Sequence, residues 1–178
     1  GIIKPGIPVV LAPQEIKAFN VICSTAYELK SNVVDSESIV KIVNAKDLGL
    51  DGVKLEFIVD KETIRSHLKL LGAHQVDNFR TAMTVLKQLN DHELPIDFAA
   101  SAAHIKNIDW PGRNQLVTHA SANGNAIFVD GAHNNASARA LCESVQKLFP
   151  ERNQTILIIG IIGGHDPVGL VEELMPLK

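Results

Sequence analysis

Eight consecutive residues near the C-terminal end, Thr155 to Ile162 (TILIIGII), carry no charge and are mostly β-branched. The run is far short of the roughly 20 apolar residues that a spanning helix needs. It reads as a strand buried on both faces, and such strands belong to parallel sheets covered by helices. The preceding segments agree. Asn125 to Asp130 (NAIFVD) reads as a buried strand and Gly131 to Asn135 as a loop of small residues. Ala136 to Phe149 reads as an amphipathic helix, with Ala140, Leu141, Val145 and Leu148 at helical spacing. Strand, helix and buried strand in that order predict a right-handed βαβ unit. The chain is therefore expected to be an α/β protein.

The earlier part of the chain is patterned differently. Ile7 to Ala12 (IPVVLA) reads as a buried strand after a Pro-Gly turn. Gln14 to Leu29 fits a helix only roughly. Val40 to Val43 and Val53 to Val59 read as strands around a Gly-Leu-Asp-Gly turn, and Val53-Lys54-Leu55-Glu56-Phe57 alternates as a sheet with one solvated face does. Thr63 to Leu71 is a further strand, and helices are expected over Val76 to Leu89 and Ile96 to Ile105. Trp110-Pro111-Gly112-Arg113 interrupts all of this, because Pro and Gly break regular structure there. A domain boundary is placed near residue 109. The second part, about 70 residues, is expected to hold two parallel strands with open edges. The chain begins at Gly1 and its methionines are Met83 and Met175, so it is expected to be a piece of a longer protein.

Composition narrows the function classes. Seventeen Lys and Arg against twenty Asp and Glu leave a net charge of −3, with no electrostatic footprint for nucleic acid or an anionic membrane. Cys23 and Cys142 make neither a CxxC nor a zinc spacing, and a reduced, cytoplasmic setting is expected. No metal site is expected among these residues. No GxxxxGK[ST] or GxGxxG is present, and Ser24, Ser101 and Cys142 lack a nucleophile signature.

Four positions stand out, each with a plainer reading beside it. Asp130-Gly131-Ala132-His133-Asn134-Asn135 puts a carboxylate, an imidazole and a helix start outside the end of a strand, where α/β sheets bind ligands and free N–H groups favour an anion. The plainer reading is a capped turn with a surface histidine. Arg113 puts a permanent, planar charge suited to phosphate on a rigid turn; the alternative is a linker with a packed Trp110 and a solvated arginine. Asn78 sits near the start of a helix, where its amide can reach a base or a phosphate, or merely take part in capping. Gly160 to Asp166 looks only superficially like a nucleotide loop, and His165 and Asp166 read as turn residues.

Taken in order, KPGIPVV-x-APQ at the start, LLGAHQVDN at 70–78, WPGR at 110–113 and DGAHN at 130–134 resemble folylpolyglutamate synthase. That family, with the dihydrofolate synthases, belongs to the Mur ligase superfamily. DGAHN is shared across the superfamily, whereas WPGR with LGAHQ-x-x-N at this separation is much more specific to the folate branch. The resemblance implies the later part of a P-loop-type ATPase domain over 1–108. It implies the first part of a Rossmann-like C-terminal domain over 109–178. It implies a cytoplasmic, monomeric, ATP-dependent ligase that adds L-glutamate to the γ-carboxyl of a folate through an acyl phosphate, using Mg2+. By position, Asn78, Arg113 and Asp130 match nucleotide-binding residues, and His133 and Arg113 match groups close to the reacting atoms. The P-loop, the Mg2+ ligands and a modified lysine of the family are expected upstream of Gly1, so the chain by itself is expected to be inactive. Asn135 stands where the family usually has Pro, and His165-Asp166 where a Lys-Asp pair is common. Two other readings remain open: a Mur-type amino-acid ligase for cell-wall precursors, and a non-catalytic module binding a nucleotide or a partner.

Overall fold

The computed structural model describes residues 1–92, 94–118, 126–152, 154–162 and 166–177. They form two compact units. The first comprises residues 1–46, 54–68 and 75–106; the second comprises 47–53, 69–74 and 107–178.

The first unit opens with strand β1 (Val9–Leu11), helix α1 (Ile16–Glu28) and strand β2 (Val33–Asp35). β1 and β2 pair in parallel, Val9 opposite Val33 and Leu11 opposite Asp35. This is the strand–helix–strand connection that parallel pairing requires. Only Ala26 of α1 is buried, which explains why the helical spacing is so loose in the sequence. The helix stops at Lys30, which takes φ of 52°. The N–H of Ser31 then returns to Ala26 O and that of Lys30 to Tyr27 O, satisfying two carbonyls of the last turn.

A one-turn helix α2 (Ser36–Ile39), capped by the Asp35 carboxylate, leads into a three-stranded sheet in the order β3 (Lys41–Asp47), β4 (Val53–Val59), β5 (Glu62–Leu68). β4 and β5 are joined by Asp60-Lys61 alone, both at positive φ, as a two-residue hairpin with the twist of its strands demands. The alternation read in β4 holds: Leu55, Phe57 and Val59 are buried, and Ile64, Ser66 and Leu68 line the same layer from β5. Helix α3 (His74–Asp91) covers this layer, with Phe79 edge-on to Phe57 at 4.9 Å between ring centroids. Helix α4 (Phe98–His104), capped by Asp97, packs along β5, where the Ser66 hydroxyl donates to Ala102 O at 2.7 Å.

In the second unit, strand β6 (Gln115–Thr118) pairs with β7 (Ile127–Val129). Helix α5 (Asn135–Leu148) and helix α6 (Pro167–Leu174) pack on each other around Ala138, Cys142, Leu170, Leu174 and Leu177. The expected parallel βαβ unit is not what forms here. β6 and β7 are antiparallel with an irregular register, and β7 is half-exposed rather than buried. Residues 154–162 belong to no strand, and Asn125 lies outside the described residues. Their exposure nonetheless alternates: Ile156, Ile158 and Ile162 are 81%, 96% and 83% exposed, whereas Leu157, Ile159 and Ile161 are 41%, 41% and 37%. That is the period of an extended segment whose two faces differ in exposure. Apolar patterning alone does not make a strand; the ladder needs a partner, and none pairs with this run among the described residues.

Candidate functional site

Of the four residues singled out, Arg113, Asp130 and His133 belong to the second unit and Asn78 to the first. In the second unit the three are built into one corner. Asp130 follows β7 directly. Its Oδ1 accepts the N–H of Ala132 at 2.7 Å, and its Oδ2 accepts the N–H of Asn114 at 2.8 Å. One carboxylate thus ties the turn carrying Arg113 to the loop entering α5.

That turn is closed by the Arg113 N–H donating to Trp110 O at 3.3 Å and the Gly112 N–H donating to Gln115 Oε1 at 2.9 Å. Trp110 is 60% exposed, so the alternative of a packed tryptophan anchoring a linker is not observed. The Arg113 guanidinium lies along Gly131: a Cβ on that glycine would sit 3.3 Å from Nη1. The side chain is exposed and, among the described residues, pairs with no carboxylate. It retains its fork of N–H donors for an anion.

His133 is exposed, and its Nδ1–H donates to Gly131 O at 3.0 Å. A carbonyl only accepts, so the neutral ring carries its proton on Nδ1. Helix α5 begins immediately afterwards with a reciprocal cap. The Asn134 side chain accepts the Ser137 N–H at 2.9 Å, while Ser137 Oγ accepts the N–H groups of His133 and Asn134 at 3.0 and 3.1 Å. The cap uses one of the four unsatisfied N–H groups of the first turn. The cap of the expected turn is therefore the work of Asn134 and Ser137. Asn135 does something else. A Cβ on Gly169 would meet its Nδ2 at 2.5 Å and Asp166 Oδ2 at 2.4 Å, so its amide packs at the start of α6. Asp166 caps α6 through the Gly169 N–H at 3.1 Å, with Pro167 in the first turn; His165 lies outside the described residues.

In the first unit, Asn78 is exposed on α3, and its Nδ2 donates to Gln75 Oε1 at 3.0 Å. Two residues on, Arg80 is held by Asp77 at 2.9 Å and Glu37 at 3.0 Å. Cys142 is buried, and desolvation pushes its thiol pKa up, which keeps it protonated and unreactive. No group of three His, Cys, Asp or Glu able to hold a metal occurs among the described residues. No helix among them is long and apolar enough to cross a membrane. Sequence reasoning missed Asn114, although an asparagine after Gly-Arg in a turn is a signal for a left-handed backbone.

No protein-family model matches the chain, and no curated protein matches it in sequence. Solved structures do match its fold. Folylpolyglutamate synthase (FPGS) from Mycobacterium tuberculosis complexed with ADP superposes with a TM-score of 0.73 at 21% identity, over 96% of this chain and 36% of that one. The enzyme from Lactobacillus casei gives 0.68 at 22%, over 99% and 42%. An FPGS–AMPPCP–folate complex gives 0.78 at 24%, over 99% and 42%. The chain spans less than half the length of these solved chains. It is an α/β chain with the fold of part of FPGS.

Proposed function

We propose that this chain is part of an ATP-dependent acid–amino-acid ligase of the folylpolyglutamate synthase type. Residues 1–108 then correspond to the later part of its ATPase domain and 109–178 to the first part of its C-terminal domain. The carrying observation is the corner at the head of α5, where Asp130 is hydrogen-bonded to the N–H groups of Ala132 and of Asn114, next to Arg113, and His133 to the carbonyl of Gly131. It lies in a chain whose fold matches structures solved with ADP and with AMPPCP and folate.

The reaction proposed is the joining of L-glutamate to the γ-carboxyl of a folate. That carboxylate takes the γ-phosphoryl group of ATP, releasing ADP. The glutamate amine then attacks the activated carbonyl, losing a proton and expelling phosphate. Positioning and charge stabilisation supply most of the catalysis in such transfers. Arg113 is assigned to the phosphates, since its guanidinium is exposed and, among the described residues, pairs with no carboxylate. Asp130 is assigned to nucleotide binding: its two bonds to N–H groups leave each oxygen with acceptor capacity. His133, with its proton directed to Gly131 O, is assigned a place beside the reacting groups. Asn78 is assigned a nucleotide contact of its own. The roles proposed for this chain's residues are those of anion-binding and proton-handling groups. A cytoplasmic, monomeric enzyme fits this reading.

The test is ADP release by the gene product that contains this chain. Release that requires both a reduced folate and L-glutamate is expected. Arg113→Ala is expected to lower turnover about 10²–10³-fold, the range for removing one preorganised donor. Release driven by a cell-wall precursor instead would favour the Mur-type alternative. Unchanged turnover in Arg113→Ala would remove Arg113 from the site.

A further inference from the structure

We propose that Asn114 is the positioning residue of this corner: its buried amide locks the backbone that presents Arg113 and holds the Asp130 carboxylate. The proposal rests on the reading of Arg113 and Asp130 as nucleotide-binding residues. Asn114 is 2% exposed and has φ of 44°, a left-handed conformation that few side chains tolerate. Its Nδ2 donates to Leu71 O at 3.0 Å and to Ser144 Oγ at 3.0 Å. Ser144 spends its own proton on Ala140 O at 2.7 Å, so toward Asn114 it only accepts. Both acceptors thus demand N–H donors, and the amide has one permitted orientation.

That orientation has a cost. Oδ1 is buried and has no hydrogen-bond partner among the described residues. An unsatisfied buried acceptor is unfavourable, and it persists where surrounding structure determines it. The surroundings do so here. A Cβ on Gly72 would come within 2.4 Å of Asn114 Nδ2, so residue 72 must lack a side chain for the amide to reach the Leu71 carbonyl. Fixed at its side chain, Asn114 points its own N–H at Asp130 Oδ2, 2.8 Å away. Arg113 precedes it directly in the chain. The amide is therefore the link between the 69–74 loop, α5 and the two groups proposed to meet the nucleotide.

The experiment compares Asn114→Ala, Asn114→Gly and Ser144→Ala by NMR on the 15N-labelled gene product that contains this chain, without ligand and then during titration with MgATP. In Asn114→Ala the Arg113 side-chain and Ala132 amide resonances should move, and Ala132 amide exchange should accelerate at least tenfold. MgATP should bind at least tenfold more weakly. Ser144→Ala should show the same changes at smaller amplitude. If Asn114→Ala does not fold, Asn114→Gly carries the test, because glycine accepts the left-handed backbone without strain. A variant with a lowered Tm but unmoved Arg113 and Ala132 resonances would overturn the proposal and leave Asn114 a structural residue. If MgATP moves nothing at Arg113 or Asp130 in the unaltered chain, the nucleotide reading fails, and the ligand-free resonances alone decide whether Asn114 is the lock.

Discussion

The two units keep their apolar residues in opposite ways. In the first, β4 and β5 each present alternate residues inward, and Phe57 and Val59 of β4 and Met83 of α3 are fully buried. In the second, a small core of Ala138, Cys142, Leu170, Leu174 and Leu177 joins α5 to α6, while Ile156, Ile158 and Ile162 stand more than 80% exposed. The corner of Arg113, Asp130 and His133 belongs to this second, less covered unit. It is held by a carboxylate, a helix cap and a buried amide rather than by apolar packing. The core of the first unit is a matter of volume and the corner of the second one of hydrogen-bond geometry, which is what a site that must fix charged groups needs.

The largest effect should separate the units. Phe57→Ala removes a fully buried ring packed edge-on to Phe79 and should cost about 3–5 kcal/mol in denaturant unfolding. Ile158→Ser should change stability by no more than about 0.5 kcal/mol while reducing light scattering from self-association. Comparable losses in the two variants would break the comparison. Next comes Gly72→Ala. Its φ of 105° and the 2.4 Å approach to Asn114 Nδ2 predict a loss of about 1–3 kcal/mol, read as a lowered Tm. A Tm equal to wild type would mean that the Leu71–Asn114 contact is dispensable.

Smaller still is the acid dependence of the second unit. The Lys147 ammonium and the Gly49 N–H hold the Asp47 carboxyl below its ordinary 3.8, and the Arg139 guanidinium holds that of Glu173 below its ordinary 4.5. A depressed folded-state pKa gives stability that is present above the unfolded value and lost as pH falls through the folded one. Tm should therefore decline slightly as pH drops below these ordinary values. The decline should be shallower in a Lys147→Met, Arg139→Met double variant, because without these cations the folded-state values return toward the ordinary ones, and the difference should be small because exposed pairs contribute little. An identical pH profile would dissociate these pairs from acid stability. Last, Arg113→Ala should leave unfolding within about 0.5 kcal/mol of wild type, since the exposed guanidinium serves a ligand rather than the fold.

Legibility followed the same division. β4, α3, α4 and α5 were readable because period and caps coincide: alternation in Val53–Val59, Asp97 before Phe98, Asn134 before Asn135. The short elements β2 and β6 carry too few residues to show a period. Helix α6 went unread despite its Asp166-Pro167 start, a cap followed by a first-turn proline. The reading of Thr155–Ile162 as a buried parallel strand failed for another reason: burial is a property of the neighbours, and sequence pattern reports only the capacity for it. In the corner, Asp130 and His133 were found from their place between strand and helix. Asn114 was not, because its importance lies in contacts with Leu71 and Ser144 that are distant in sequence.

The central claim is that the head of α5 meets a nucleotide. A 15N NMR titration with MgATP of the gene product that contains this chain, unaltered and as Arg113→Ala, tests it most directly. The account predicts saturable shifts at Arg113, Ala132 and His133 in the unaltered chain, and their loss in Arg113→Ala with the remaining spectrum intact. Shifts confined to other residues, or equal saturation in both proteins, would contradict it.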